Sequence, residues 1–350
     1  TDADGTTNIN GGSVDTTGDQ TYHDDVLLGA NTTLTSTDPG NITFNKTLNG
    51  AFTLDVNTAG LTNFNGTVGN SAALMSLTTD ADGTTNINGG TVDTTGDQTY
   101  HDDVLLGTNT TLTSTDPGNI TFNKTLNGAF TLDVNTAGLT NFNGTVGNSA
   151  ALTSLTTDVD GTTNINGGTV DTTGDQTYHD DALLGANTTL TSTNPGNITF
   201  NKTLNGAVTL DVNTAGLTNF NGTVGNSTAL VSLTTDAPGT TNINGGTVDT
   251  TGDQTYHDDV SLGANTTLTS TDPGNITFNK TLNGAFTLDV NTAGLTNFNG
   301  TVGNSAALMS LTTDADGTTN INGGTVDTTG DQTYHDDVSL GANTTLTSTD

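Results

Sequence analysis

The stretch Thr21-Tyr22-His23-Asp24-Asp25 decides the architecture, because the same five residues return at a constant interval along the chain. Its histidine recurs as His101, His179, His257 and His335, 78 residues apart each time and without insertion or deletion. A fixed period of this length is the signature of a repeat protein, in which each unit buries its apolar face against its neighbours.

The repeat divides the 350 residues into 1–78, 79–156, 157–234 and 235–312, followed by a partial copy at 313–350. The first two copies differ at only three positions. Because both ends of the chain fall inside a copy, we expect one continuous solenoid over 1–350 that is a section of a longer array.

Short apolar alternations between Gly, Asn and Asp predict strands and turns throughout each copy. No stretch of ten residues shows a 3.6-residue apolar period, so no helix is expected. Nine strands are predicted in the first copy: Thr6–Asn10, Ser13–Thr16, Thr21–Tyr22, Val26–Leu28, Thr32–Ser36, Ile42–Asn45, Phe52–Val56, Leu61–Val68 with a break at Gly66, and Leu74–Leu77.

Nine short strands in 78 residues fit three laps of about 26 residues, each with three strands. The predicted fold is therefore all-β, a parallel β-helix or β-solenoid with about three coils per repeat. Its stacked core positions would be Ile9 with Leu34 and Leu61, Val14 with Ile42 and Val68, and Val26 with Phe52 and Leu74. A hydrophobic content of 30% suits such a narrow core. A disordered chain and a string of separate β-sandwiches are the alternatives.

The charge and the missing cysteines exclude several classes of protein. The chain has 37 acidic residues against 4 basic ones, a formal net charge of -33. A nucleic-acid partner is therefore not expected, because it would be repelled. No apolar window is long enough for membrane insertion. Without cysteine there is no disulfide, thiolate metal site or thiol nucleophile.

Three phrases resemble the repeats of large bacterial surface proteins, namely Thr7-Asn8-Ile9-Asn10-Gly11-Gly12-Ser13-Val14, Gly40-Asn41-Ile42-Thr43-Phe44-Asn45 and Leu61-Thr62-Asn63-Phe64-Asn65-Gly66. The resemblance is to filamentous-haemagglutinin-like adhesins and to the repeat regions of autotransporter passengers. It implies a right-handed parallel β-helix, secreted to the extracellular side or the cell surface, and a role in cell adhesion as a stalk or filament.

Pairs of aspartates before a glycine are the candidate metal ligands. Asp2-Ala3-Asp4-Gly5 is similar to the start of an oxygen-ligand calcium loop. The calcium candidates are Asp2, Asp4, Asp80, Asp82, Asp158, Asp160, Asp314 and Asp316. The fourth copy has Asp236-Ala237-Pro238 and lacks the second carboxylate. A plain Asp-Gly corner turn is the structural alternative.

No residues are predicted to be catalytic, and no cofactor other than calcium is expected. The His23-Asp24-Asp25 group could perform acid–base chemistry, but an identical copy in every repeat favours a structural or multivalent role. The lysines Lys46, Lys124, Lys202 and Lys280 are the only basic side chains that a lyase could use.

Threonine pairs such as Thr33 and Thr35 suggest ice binding, but the other laps have no Thr-x-Thr at the comparable place, so the array would be interrupted.

The function predicted from the sequence is a structural shaft for an extracellular adhesin or surface filament, without enzyme activity. Its expected partners are a host or surface glycan, a protein receptor, or further copies that associate end to end or laterally. A calcium-bridged sheath or surface-layer unit and a carbohydrate-active or carbohydrate-binding passenger domain are the two alternatives.

Overall fold

Strands and turns make up the whole of the computed structural model, which describes residues 1–350. It contains 45 strands, and no helix long and apolar enough to cross a bilayer is present. The chain forms two compact units, unit 1 with residues Thr1–Thr173 and unit 2 with residues Gly174–Asp350. The β-solenoid fold is thereby confirmed, whereas one continuous solenoid over the whole chain stays a prediction.

Unit 1 contains 22 strands: β1 (Thr6–Ile9), β2 (Ser13–Thr16), β3 (Gln20–Tyr22), β4 (Asp25–Leu28), β5 (Thr32–Ser36), β6 (Ile42–Phe44), β7 (Leu48–Asn49), β8 (Thr53–Thr58), β9 (Leu61–Phe64), β10 (Ser76–Thr79), β11 (Thr84–Ile87), β12 (Thr91–Thr94), β13 (Gln98–Tyr100), β14 (Asp103–Leu106), β15 (Thr110–Ser114), β16 (Ile120–Phe122), β17 (Leu126–Asn127), β18 (Thr131–Thr136), β19 (Leu139–Phe142), β20 (Ser154–Thr157), β21 (Thr162–Ile165) and β22 (Thr169–Thr172).

Unit 2 contains the other 23 strands: β23 (Gln176–Tyr178), β24 (Asp181–Leu184), β25 (Thr188–Ser192), β26 (Ile198–Phe200), β27 (Leu204–Asn205), β28 (Thr209–Thr214), β29 (Leu217–Phe220), β30 (Ser232–Thr235), β31 (Thr240–Ile243), β32 (Thr247–Thr250), β33 (Gln254–Tyr256), β34 (Asp259–Leu262), β35 (Thr266–Ser270), β36 (Ile276–Phe278), β37 (Leu282–Asn283), β38 (Thr287–Thr292), β39 (Leu295–Phe298), β40 (Ser310–Thr313), β41 (Thr318–Ile321), β42 (Thr325–Thr328), β43 (Gln332–Tyr334), β44 (Asp337–Leu340) and β45 (Thr345–Ser348).

Side chains alternate between the interior and the surface along each strand. In β5, Leu34 is fully buried, while Thr33 and Thr35 on either side face outward and are partly exposed. The strands end at sharp corners, several of which need glycine. Gly50 has φ +133°, and a Cβ there would lie 2.5 Å from the Leu28 carbonyl oxygen, so no other residue fits this corner without strain.

Unit 1 has three faces, each a column of parallel strands from successive laps. The first face is β2, β5, β8, β10, β13, β16, β19 and β21. The second is β3, β6, β9, β11, β14, β17, an isolated bridge at Val146, and β22. The third is β1, β4, β7, a bridge at Val68, β12, β15, β18 and β20.

Unit 2 has the same construction. One column runs from β23 through β26, β29, β31, β34, β37, Val302 and β42 to β45. The second contains β24, β27, Val224, β32, β35, β38, β40 and β43. The third contains β25, β28, β30, β33, β36, β39, β41 and β44.

The laps are shorter than the predicted 26 residues. Paired residues lie between 19 positions apart, as in Thr6 with Asp25, and 24 positions apart, as in Val68 with Val92. The predicted stacking of core positions was therefore wrong: Ile9 pairs with Leu28. The prediction missed one rung, meaning one strand or bridge of a lap, because Leu48–Asn49 is a strand. It also counted as one strand the two pairings that lie on either side of the predicted break at Gly66, β9 and the bridge at Val68.

Each repeat contributes eleven rungs, ten strands and the bridge at Val68 or its equivalent, to three faces. Eleven is not a multiple of three, so one repeat makes three and two-thirds laps and the next begins on a different face. Strand β2 lies on the first face of unit 1, whereas its copies β12 and β22 lie on the third and second faces. Equivalent residues of successive repeats therefore point in different directions.

The core is a column of aliphatic and aromatic side chains. Tyr100, Phe122 and Phe142 stack in successive laps, with ring centroids 5.2 and 5.5 Å apart. The buried Gln98 lies beside them; its Nε2 donates to two backbone carbonyls, and its Oε1 accepts from the Tyr100 hydroxyl. Because the amide is fully hydrogen-bonded, this polar side chain can be buried without a large cost.

Candidate functional site

The predicted calcium residues lie in pairs on one corner turn of every copy except the fourth. Asp80 and Asp82 flank Ala81 between β10 and β11; Asp80 is half-buried and Asp82 is exposed. Asp158 with Asp160 and Asp314 with Asp316 show the same arrangement, and Asp2 and Asp4 in the first lap are both exposed. From the second copy onward, each pair thus offers one carboxylate to solvent and holds the other partly buried.

A lysine of the chain reaches the same turn from two laps further along. Lys46 Nζ donates to the Ala3 carbonyl oxygen over 2.6 Å, and Lys124 Nζ donates to the Ala81 carbonyl oxygen. No such bond forms at Lys280, where Pro238 replaces the second aspartate of the turn. Lys46 and Lys124 therefore bond to a backbone carbonyl oxygen that lies between the two aspartates of the acidic turn.

Nowhere in the chain do three or more carboxylate or imidazole side chains come close enough together to hold a metal ion. A calcium ion at Asp80 and Asp82 would therefore need further ligands from carbonyl groups or water. Calcium binding at these turns stays a prediction.

The histidine next to this turn begins a ladder of asparagines. Thr79 pairs with Tyr100, so Asp80 and His101 occupy neighbouring laps at equivalent positions. His101 Nδ1 lies 2.8 Å from Asn123 Nδ2, Asn143 Nδ2 donates to Asn123 Oδ1 at 2.9 Å, and Asn166 Nδ2 donates to Asn143 Oδ1 at 2.7 Å. The imidazole is thus tied to the lap above it by an amide.

The aspartate after the histidine points into the protein. Asp102 is only 1% exposed, and its carboxylate accepts hydrogen bonds from Thr79 Oγ1 at 2.6 Å and from Thr85 Oγ1 at 2.8 Å. Burial raises the pKa of Asp102 above its usual range, the two threonine bonds lower it, and the charge of Asp80 adds to the rise. No cation is paired with this carboxylate.

The neighbouring Asp80 also has a raised pKa. Burial is the main cause, and hydrogen bonds from backbone N–H groups and the nearby His101 oppose it. One oxygen of Asp80, Oδ1, is buried without a hydrogen-bond partner. Carboxyl groups of raised pKa beside an imidazole are the groups that acid–base catalysis uses. Here, however, Asp102 is closed off from any substrate by its own threonine partners.

The copies of this corner do not lie along one line. In unit 1, His23 lies between β3 and β4, at the corner of the second and third faces, whereas His101 lies between β13 and β14, at the corner of the first and second faces. In unit 2, the three histidines lie at three different corners: His179, His257 and His335. No two of these copies within a unit can build a joint site at one corner.

Other polar residues also have structural partners. Asn31 and Asn41 accept backbone hydrogen bonds from Thr53 and Leu61 in the next lap. The row that contains Thr33 continues with Asp55, so it is not a regular threonine array. The Asn ladders and the buried Asp102 were missed by the sequence analysis.

Comparisons with known protein families, with curated proteins and with solved structures found no match.

Proposed function

We propose that this chain is a structural scaffold, the shaft of an extracellular bacterial adhesin or surface filament that gives reach and multivalent display without catalysis. The observation that carries the proposal is the one-face rotation between repeats, which places equivalent residues such as His23 and His101 at different corners. A repeated surface of this kind presents the same groups in all directions. That property suits a shaft better than it suits an enzyme with one groove.

The bonding of the polar side chains supports the same conclusion. The histidine, asparagine and lysine side chains that could act on a substrate bond to neighbouring laps instead. Eight of the eleven phenylalanines are buried, so the faces offer few aromatic platforms for a sugar ring. These observations favour a scaffold over the carbohydrate-active alternative.

The net charge of -33 fits a shaft that must remain separate from its neighbours. Like charges on parallel surfaces repel at low salt and are screened over about 8 Å at physiological ionic strength. Divalent cations could bridge such surfaces, as the calcium-bridged sheath alternative requires. The resemblance of the Thr- and Asn-rich phrases to adhesin repeats supports secretion to the cell surface.

The scaffold proposal can be tested by placing the 350-residue chain between a cell-surface anchor and a reporter domain. The matched control is a Gly/Ser linker of the same length, which behaves as a flexible coil. We expect the reporter to lie at a single, larger distance from the surface when the chain is used, measured by single-molecule height. A spread of distances equal to that of the linker would contradict the proposal.

Two further measurements separate the alternatives. Incubation of the chain with a panel of acidic and neutral polysaccharides should release no product, and release that is lost in Asp102→Asn would establish an enzyme.

Thermal unfolding in Ca²⁺ and in Mg²⁺ at equal ionic strength should give the same midpoint for a simple shaft. A midpoint several degrees higher in Ca²⁺ alone would instead support the sheath.

A further inference from the structure

One outward-facing column that begins in the fourth repeat contains a carboxylate, an imidazole and three amides in successive laps. Thr235, Tyr256, Phe278, Phe298 and Ile321 pair in register along that column of strands. The residues that directly follow them are Asp236, His257, Asn279, Asn299 and Asn322. His257 therefore has a carboxylate in the lap below and an amide in the lap above.

The hydrogen bonds of this column have one direction. Asn322 Nδ2 donates to Asn299 Oδ1 at 2.8 Å, and Asn299 Nδ2 donates to Asn279 Oδ1 at 2.9 Å. Because Asn279 Oδ1 is already occupied from above, the Asn279 amide nitrogen faces His257 Nδ1, 2.9 Å away. An amide nitrogen can only donate, so Nδ1 must accept and the imidazole must be neutral with its proton on Nε2.

Protonation removes this acceptor. An imidazolium carries N–H groups on both ring nitrogens, and its Nδ1–H would then point at the donor of Asn279. The contact between the two donors is unfavourable, whereas a carboxylate in the lap below can accept from the charged ring.

The charged groups around His257 favour pairing of the protonated ring with Asp236 in the lap below. Asp236 lies in the lap below and accepts from the Thr214 backbone N–H at 2.8 Å. In the histidine's own turn, Asp258 is buried and held by two threonine hydroxyls, and Asp259 accepts from the Thr281 hydroxyl and N–H. In the lap above, Lys280 follows Asn279 in sequence, so the lysine of this column belongs to the upper lap.

We propose that His257 is a pH-dependent switch between two laps, which accepts a hydrogen bond from Asn279 above when neutral and pairs with Asp236 below when protonated. The proton comes from solvent, since the histidine is exposed. In the mildly acidic range imidazole is charged while ordinary carboxylates are still ionised. The His–Asn contact recurs at His23, His101 and His179, at 2.7 to 2.8 Å.

The chain supplies two internal controls. On the same strands, Asn320 Nδ2 donates to Asn297 Oδ1 and Asn297 Nδ2 donates to Thr277 Oγ1, which forms a ladder that begins with a hydroxyl and cannot titrate in this range. His335 has no asparagine above it in this chain. One control therefore lacks the histidine, and the other lacks the amide.

The test is nitrogen NMR of the full chain labelled with ¹⁵N-histidine and ¹⁵N-asparagine, followed from about pH 7.5 to about pH 5.5. At the upper pH we expect an Nδ1 acceptor signal from the four histidines that have an asparagine above them, and a different tautomer mixture from His335. On acidification, the side-chain amide of Asn279 should move, while those of Asn297 and Asn320 should not. Asn279→Ala should make His257 behave as His335 does.

A second variant tests the lower partner. Asp236→Asn keeps the size of the side chain but removes its charge, so the hydrogen-bonded imidazolium N–H signal that we expect from His257 in acid should be lost in this variant. An Nδ1–H tautomer at neutral pH, an Asn279 amide that does not move in acid, or an imidazolium N–H signal that is unchanged in Asp236→Asn would each overturn the switch.

Discussion

The aspartate that directly follows the histidine has a different pKa in different copies, because the number of laps that cover it differs. In the first copy, the pKa of Asp24 is lowered, chiefly by a hydrogen bond from the Thr1 hydroxyl. In the second copy, the pKa of Asp102 is raised by burial, although both carboxylates accept from threonine. Lap stacking, and not the local sequence, therefore sets the acidity of this residue.

Five aspartates have a raised pKa in the folded chain: Asp80, Asp93, Asp102, Asp258 and Asp314. We therefore expect the folded chain to be more stable in mild acid than at neutral pH. A raised pKa in the folded state means that the folded protein binds the proton more tightly. The resulting stability is fully present below the unfolded pKa of about 3.9 and is lost as the pH rises through the folded value. The midpoint of thermal unfolding should therefore rise as the pH is lowered from 7 toward the unfolded value.

General charge repulsion would act in the same direction, so the melting curves should be recorded in about 0.5 M salt, which screens exposed charges. The matched variant is Asp102→Asn, whose amide oxygen can still accept from Thr79 and Thr85. We expect a flatter dependence of the midpoint on pH in the variant. A midpoint that falls on acidification, or a variant as pH-dependent as the parent, would show that burial of Asp102 does not matter.

Removal of one ring from the aromatic stack should be costly. Phe122 is 1% exposed and lies between Tyr100 and Phe142, so Phe122→Ala leaves a cavity with rings on both sides. We expect a loss of about 3–5 kcal/mol in the free energy of unfolding, measured by denaturant titration. The control is Phe130→Ala, at a half-buried position of the same repeat, where the loss should be clearly smaller. Equal losses would mean that the stack adds nothing.

At the scale of the strand and its turn, one glycine position tests the stacking of laps directly. Gly11 and Gly89 occupy the same position in the first and second copies. A Cβ on Gly11 would meet nothing within 4 Å, whereas one on Gly89 would lie 2.0 Å from the Gly66 carbonyl oxygen. Neither glycine has a left-handed φ, so only the neighbouring lap distinguishes them.

We therefore expect Gly11→Ala to leave stability unchanged and Gly89→Ala to cost about 1–3 kcal/mol through forced separation of two laps. Denaturant titrations of the two variants against the parent give both values, and each variant serves as the control for the other. A similar effect at both positions would indicate that the second copy does not lie on the first.

The strands show why the class of fold could be predicted from the sequence, whereas the length of one lap could not. Strands such as Thr32–Ser36 alternate cleanly and were predicted with the bounds that they have. The two-residue strand Leu48–Asn49 and the bridge at Val68 are too short to show any alternation, and they are defined only by their neighbours across the laps.

The same limit applies to the candidate site. The turns that carry Asp80 and Asp82 were found from sequence, because their Asp and Gly residues lie close together along the chain. The ladder from His23 through Asn45 and Asn65 to Asn88 uses steps of 22, 20 and 23 residues. Because no single period joins these residues, the ladder cannot be recognised without the register of the strands.

At the scale of the whole molecule, the eleven-rung repeat explains how near-identical copies within each unit place equivalent residues on different faces. A repeat with nine or twelve rungs would place a given residue on the same face in every copy. With eleven, the face changes from one copy to the next, as it does for His179, His257 and His335 at the three corners of unit 2. Like charges are thus distributed around the solenoid instead of concentrated along one edge.

Because each copy makes three and two-thirds laps, a single copy should be much less stable than the four-copy chain. In an isolated 79–156 segment, the first and last laps would each lose a neighbour, and only the middle laps would be covered on both sides. Nearest-neighbour stacking then predicts that the midpoint of urea unfolding rises from one copy to two and from two to four. Far-UV circular dichroism of the three chains measures this rise, and a second frame, 101–178, controls for the choice of ends. A single copy in either frame that unfolds at the same urea concentration as four copies would show that the repeats are independent domains and that the laps of neighbouring copies do not stabilise one another.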